Sequence, residues 1–263
     1  MSHINLDIDS LNKLNDILFF LQKDGLSSEV IDILLKQMIP RKNNKPLITY
    51  NPNNADFFYP AAFNPSIGHI DVSIEMLRSH IERDVNNLIN DLCSHDEEAI
   101  RNYITIGIIA HEEEHSYQYL MSKGIINSPN DVVKDAYKYI FDITLGKDFE
   151  GKNIDLLQEL YIENQNKILL ERNAEIERFD LLMKLAEYNS RNDLHGLFKW
   201  LKDWHQTFGY HNSNIGSIHE TFKILQLEDL FLKFNHNVIM DDDERMRYGF
   251  PISDELRLKI LKK

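Results

Sequence analysis

The chain has 263 residues, of which 43% are hydrophobic, and its formal net charge at pH 7 is −13. This length is enough for one large domain with a substantial core. The acidic balance argues against nucleic acid or an anionic membrane surface as a partner, and the apolar runs are too short to cross a bilayer.

Two features of the sequence bear on the cellular compartment. Residues 1–10 lack the basic start and the apolar core of a signal peptide. The single cysteine, Cys93, cannot form an internal disulfide, which fits a reducing compartment. We therefore expect a cytoplasmic protein without a membrane anchor, in which Cys93 packs as a small helix residue.

The first 40 residues predict a helical hairpin. Residues 7–24 carry leucines and isoleucines at helical spacing and end before Gly25. Ser27 or Ser28 can cap a second helix that runs to about Met38 and is closed by Pro40. A helix-turn-helix that binds DNA would have the same outline, but the acidic balance of the chain argues against it.

Residues 41–73 predict a small sheet. Four of the seven prolines fall in this segment, together with turn signals of the Asn-Pro type. Residues 47–50 and 57–59 read as short strands, and residues 68–73 alternate apolar and polar side chains as a half-buried strand does.

The rest of the chain predicts helices. One helix covers residues 74–94, and a second runs from about Glu97 to Lys123 and ends at Gly124. No proline occurs between Pro129 and Pro251, and apolar periodicity continues there. We predict a mostly α protein with a small N-terminal β-sheet, an α+β fold in one domain over residues 1–263. Its parts are the hairpin 1–40, the sheet 41–73, metal-site helices 74–190 and a helical part 191–263.

The helix predicted from Glu97 carries the sequence His111-Glu-Glu-Glu-His115, which fits the pattern H-E-x-x-H. Residues four apart share a helix face, so both imidazoles can reach one Zn2+. Glu112 lies about 100° further round, too far to bind the same ion but close enough to accept a proton from water. The alternative is a solvated acidic helix end with two incidental histidines.

This stretch resembles the active-site helix of the zincin metallopeptidases. The resemblance implies that His111 and His115 bind zinc and that Glu112 is the general base. In zincins a small sheet precedes this helix, and its edge strand borders the cleft. On that basis residues 68–73 are the candidate edge strand, to which a peptide substrate could add. An ordinary hairpin that covers the helical core is the alternative.

A zinc site needs at least one further protein ligand. The third histidine of the metzincin pattern is absent after His115. In the helix around residues 170–180, Glu171 and Glu175 fall inside the predicted core-facing stripe, and Glu177 and Asp180 fall on the other side. We predict Glu171 as ligand and Glu175 as the acid that orients a ligand histidine, with the swapped assignment open.

The pair Glu171 and Glu175 resembles the gluzincin arrangement, in which a glutamate on a downstream helix completes the site. It is also similar to the E-x-x-A-N element of intracellular zincins that cleave repressors, with Glu175 where those have Asn. The alternative is an ion-pair pattern with Arg172 and Arg178, which would stabilise the helix by only tenths of a kcal/mol.

Residues 204–219 contain three histidines, a tyrosine and two glycines. This composition predicts a loop that closes over the cleft, with Tyr210 or His211 as the donor to the developing oxyanion. A polar connecting loop with incidental histidines is the alternative.

The sequence therefore predicts a zinc metallopeptidase, a hydrolase with Zn2+ as its metal and a peptide or protein as its substrate. Two alternatives stay open. One is a hydrolase that acts on a non-peptide amide with the same metal site. The other is a helical binding or regulatory protein in which the motif is structural or catalytically inactive.

Overall fold

The computed structural model describes residues 6–38, 49–51, 59–92, 96–128, 131–147, 151–211 and 218–235, with residues 245, 248 and 258. These residues form ten α-helices, one 3-10 helix at Gln165–Lys167 and three short strands. The helices are α1 Ile8–Asp24, α2 Ser28–Met38, α3 Ile74–Leu92, α4 Glu97–Ser122, α5 Asp131–Thr144, α6 Ile154–Asn164, α7 Leu169–Tyr188, α8 Asn192–His211, α9 Ile218–Ile224 and α10 Glu228–Asn235. The strands are β1 Thr49–Asn51, β2 Ala61–Asn64 and β3 His69–Val72. The prediction of a mostly α protein with a small sheet is confirmed.

The predicted helical hairpin is present as α1 and α2. Asp7 caps α1 by accepting a hydrogen bond from the Ser10 amide at 2.8 Å. At the other end Gly25 has a φ of 70° and donates to the Leu21 carbonyl, a geometry that favours glycine. The two helices contribute a buried row to the core: Leu14, Ile17, Leu21, Val30, Ile31, Leu34 and Leu35.

The sheet differs from the prediction in the order of its strands. β3 is central, parallel to β1 and antiparallel to β2, with His69 opposite Thr49 and Val72 opposite Ala61. The expectation that residues 68–73 form an edge strand is therefore wrong. The half-buried pattern is not upheld either, because Asp71 is buried between the buried Ile70 and Val72. Alternation of side chains also does not indicate which strands lie next to this one. The outer strands among the described residues are β1 and β2. The predicted strand 57–59 lies mostly outside them.

The chain packs as two compact units. The N-terminal unit comprises residues 2–117 and 177–201, and the C-terminal unit comprises residues 118–176 and 202–263 with residue 1. The N-terminal unit holds the three strands, α1 to α3 and the main hydrophobic core. The C-terminal unit buries residues of α5, α6, α9 and α10. Both α4 and α7 contribute residues to each unit, and the single domain stays a prediction.

Within the N-terminal unit, Gly107 allows α4 and α7 to pack closely. A Cβ atom built on Gly107 would lie 2.9 Å from both Arg178 Nε and Leu182 Cδ1, closer than such atoms approach in proteins. A larger residue here would force these side chains of α7 to move. Among the described residues, no helix is both long enough and apolar enough to cross a membrane.

Gly107→Ala tests this packing, with Gly196→Ala as its matched control. Gly196 lies inside α8 with no atom within 4 Å of a built Cβ, so alanine there should add about 1 kcal/mol of helix propensity. Gly107→Ala gains the same propensity but overpacks the interface by about 1–3 kcal/mol. Urea unfolding should therefore show Gly107→Ala as the less stable variant by that margin. Equal stability of the two variants would contradict the close packing.

Candidate metal centre

Helix α4 carries the H-E-x-x-H motif and has well-defined ends. Asp96 caps its start by accepting a hydrogen bond from the Ala99 amide at 3.0 Å. Gly124, with a φ of 69°, follows its end and donates to the Met121 carbonyl. The predicted helix over residues 97–123 is confirmed. The turns before the motif are buried on nearly every side by Ile104, Ile106, Ile108, Ile109 and Ala110.

The two histidines of the motif lie side by side. His111 Nε2 and His115 Nε2 are 3.0 Å apart, and the two rings are nearly perpendicular, with their centroids 4.7 Å apart. One ligand atom from each of His111, Glu112 and His115 falls within 4.8 Å of the others. Among the described residues this is the group of histidines and acids whose atoms could hold a metal ion.

The distances fit a metal ion and also fit a simpler contact. Two nitrogen ligands of a tetrahedral zinc ion, each at about 2.0–2.1 Å from the metal, are about 3.3 Å apart. The observed 3.0 Å between the Nε2 atoms is close to this value. The same separation suits a hydrogen bond in which one protonated Nε2 donates to the other. The geometry is compatible with zinc but does not require it.

The carboxylate of Glu112 is fixed by the sheet. Its Oε2 accepts a hydrogen bond from the backbone amide of Phe63, in the outer strand β2, at 2.9 Å. β2 rather than β3 therefore borders the motif. No sequence signal could identify Phe63, because a backbone amide donates whatever the side chain.

Glu112 also lies closer to the histidines than its helical angle predicts. The expectation that it is too far round the helix to bind the same ion is not upheld, since its carboxylate belongs to the same group of candidate ligands. A glutamate side chain has three rotatable bonds, so it can fold back over a neighbouring face of its helix. The arrangement leaves Glu112 able to act as a ligand or as a base.

The acids beside Glu112 are not solvated. Glu113 is 1% exposed and Glu114 is 2% exposed. The Tyr117 hydroxyl lies 3.5 Å from Glu113 Oε1, and Ser116 Oγ donates to the Glu113 carbonyl. The alternative of a solvated acidic helix end is therefore wrong, because the helix is buried on the side away from the histidines as well.

The predicted third ligands lie on α7, in the C-terminal unit. Glu171 and Glu175 are half-buried, and the Tyr161 hydroxyl lies 3.3 Å from Glu171 Oε1. The predicted stripe is wrong in one respect, since Glu177 and Asp180 are more deeply buried than either. α7 is buried on most sides, so a single core-facing stripe does not describe it. The roles of Glu171 and Glu175 as ligand and orienting acid stay predictions.

The predicted loop 204–219 is wrong over its first half. α8 continues through Tyr210 to His211, and α9 begins at Ile218. Residues 212–217, and the side chains of residues 204–211, lie outside the part of the chain that the structure describes. Gly209 lies inside this helix and does not end it. One glycine in a helix interior costs only about 1 kcal/mol, which the rest of the helix can offset. The donor roles of Tyr210 and His211 stay predictions.

Comparison with known proteins found no match for this chain among family models, characterised proteins or solved structures. The likeness to zincins therefore rests on the motif and its surroundings.

The burial of Glu113 gives a stability test. Glu113→Ala removes a buried carboxylate and leaves its neighbours unsatisfied, so urea unfolding should show a loss of about 2–5 kcal/mol. Glu98→Ala, an exposed glutamate on the same helix, is the matched control and should change stability by less than about 0.5 kcal/mol. A Glu113→Ala protein as stable as the control would contradict the buried environment.

Proposed function

We propose that this chain is a zinc-dependent metallopeptidase whose metal is held by His111 and His115. The observation that supports this most directly is the 3.0 Å contact between their Nε2 atoms, with the Glu112 carboxylate in the same group. Two imidazoles and carboxylate oxygens are ligands that suit zinc. The small sheet ahead of α4 is in keeping with a zincin-like fold.

The third protein ligand in this proposal is Glu171, with Glu175 as the acid that orients a histidine or in the reverse role. Both assignments come from the sequence spacing. Glu112 could instead bind the ion itself, because its carboxylate belongs to the histidine group. Metal binding by single variants separates these assignments.

Zinc, when bound, supplies a Lewis acid that activates water and polarises the scissile carbonyl. Glu112 accepts a proton from the attacking water and passes it to the leaving amine. The Phe63 amide holds the Glu112 carboxylate by a 2.9 Å hydrogen bond and so limits its rotation. Tyr210 or His211 is the proposed donor to the oxyanion.

The substrate in this proposal is a peptide or protein segment in extended conformation. β2 pairs with β3 on one side, and its Phe63 amide faces Glu112 on the other. An extended peptide could add along that outer side through main-chain groups other than the Phe63 amide, which already donates to Glu112. The single cysteine and the acidic charge favour a cytoplasmic enzyme that acts on neither nucleic acid nor membrane.

Metal content is the first test. After zinc loading and dialysis, the wild-type chain should retain about one zinc, measured by inductively coupled plasma mass spectrometry. His111→Ala and His115→Ala should lose it, and the matched control His195→Ala, a half-buried histidine outside the motif, should keep it. Loss in Glu171→Ala, Glu175→Ala or Glu112→Ala identifies the third ligand. Wild type without zinc would refute the proposal.

Glu112→Gln tests the base. The amide can still accept the hydrogen bond from Phe63 but cannot take a proton, so the variant should keep zinc and lose about 10²–10⁴-fold in peptide cleavage. Cleavage is measured by mass spectrometry of a digested proteome, with Glu98→Gln on the same helix as control. Full activity in Glu112→Gln would contradict its role as base.

The contact between the two histidines also fits a second class of protein. As a hydrogen bond between imidazoles of the same helix, it would satisfy two polar side chains in a binding or regulatory protein that holds no metal.

The third possibility is a hydrolase with another substrate. Zinc binding without peptide cleavage, but with hydrolysis of a non-peptide amide, would favour it.

A further inference from the structure

A cavity of about 350 Å³ lies in the N-terminal unit between α1, the first turns of α4 and the C-terminal end of α7. It is formed by residues other than those of the proposed metal centre. Its volume is at the lower end of the range for small-molecule sites. Its lining includes three carboxamides, the phenol of Tyr103, the ring of Phe19 and the guanidinium of Arg191. Each of these groups limits the kind of ligand that the cavity can bind.

The buried part of the cavity presents a hydroxyl donor. Tyr103 is 3% exposed, and its ring stacks on Phe198 with centroids 5.7 Å apart. Asn189 Nδ2 donates to the Tyr103 hydroxyl at 3.1 Å, which leaves the phenol proton for another partner. Burial raises the pKa of Tyr103, so the hydroxyl stays protonated at neutral pH.

Carboxamides line the sides of the cavity. Asn15 and Gln22 come from α1 and Asn102 from α4. None of the three side chains makes a hydrogen bond to a residue that the structure describes. Each presents one acceptor oxygen and two donor hydrogens without charge. Carboxamides therefore suit a ligand that carries hydrogen-bond donors and acceptors next to each other along one side.

The charges at the cavity disfavour an anionic ligand. The Arg191 guanidinium lies 2.9 Å from Asp96 and 2.7 Å from Asp193, so two carboxylates already match its charge. The hydrogen bond from Arg191 lowers the pKa of Asp193 to about 2, so this acid stays ionised. Glu98 adds a further carboxylate to the rim. A phosphate group would meet repulsion here.

Phe19 supplies the apolar side. Its side chain is 60% exposed, with Leu18 and Ala99 beside it in the lining. An exposed aromatic face next to neutral polar groups is suited to a ring with one apolar face. Bases stack in this way on aromatic side chains whatever their identity.

We infer that this cavity binds an uncharged, ring-shaped polar molecule of the size of one sugar residue or one nucleoside. Its apolar face stacks on Phe19. Its edge donors and acceptors pair with Asn15, Gln22 and Asn102, and one acceptor takes the proton of Tyr103. The inference does not depend on zinc or on peptidase activity.

Titrations followed by nuclear magnetic resonance of the full ¹⁵N-labelled chain test it. The probes are N-acetylglucosamine and uridine, each beside its phosphate ester. At least one neutral probe should shift the carboxamide signals of the cavity with a Kd of roughly millimolar, the weak end of specific binding. Its phosphate ester should bind roughly tenfold more weakly because of the acidic rim. Which neutral probe binds decides between sugar and nucleoside.

Variants locate the binding. Asn102→Ala and Phe19→Ala should each weaken it roughly fivefold or more, as loss of one hydrogen bond or one stacking contact does. Asn86→Ala, an exposed asparagine on α3, and Ile8→Ala, an exposed apolar residue on α1, are the matched controls and should not weaken it. Three results would overturn the inference: no binding of either neutral probe, tighter binding of a phosphate ester, or equal weakening by the controls.

Discussion

Helix α4 must satisfy five consecutive ionisable side chains in a largely buried position. Its motif residues Glu113, Glu114 and His115 are buried, and a buried charge without a partner is strongly destabilising. Four of these side chains make contacts near the motif. One imidazole faces the other, the Tyr117 hydroxyl lies near Glu113, and a backbone amide of the sheet donates to Glu112. The proposed metal site consists of side chains that already lie close together for this reason, namely His111, His115 and Glu112.

The small sheet gains a specific role from this arrangement. The strands have three or four residues each and contribute Ala61, Ile70 and Val72 to the main hydrophobic core. Their position gives β2 an outer edge with the Phe63 amide at the motif, so the sheet orients the Glu112 carboxylate. Gly107 lies in α4 one turn before the motif. Because it has no side chain, side chains of α7 can pack closely against α4 there. The position of the Glu112 carboxylate and the close packing at Gly107 both depend on the backbone.

The features that depend on local periodicity could be predicted from the sequence. The hairpin of α1 and α2, the bounds of α4 and the neighbouring positions of His111 and His115 follow from helical spacing and end signals. Features set by distant partners could not. The central position of β3 depends on β1, which joins it in parallel from another part of the chain. The burial of Glu177 and Asp180 depends on neighbours that surround α7, whereas a stripe model assumes one buried face.

The coordination of the metal is the central claim, and X-ray absorption at the zinc edge measures it directly. On the zinc-loaded chain, we expect two imidazole ligands at about 2.0–2.1 Å, with oxygen atoms as the remaining ligands. A sulfur ligand at about 2.3 Å would point to Cys93 and contradict the site. A spectrum with fewer than two imidazoles would also contradict it, because His111 and His115 would then not bind the ion together.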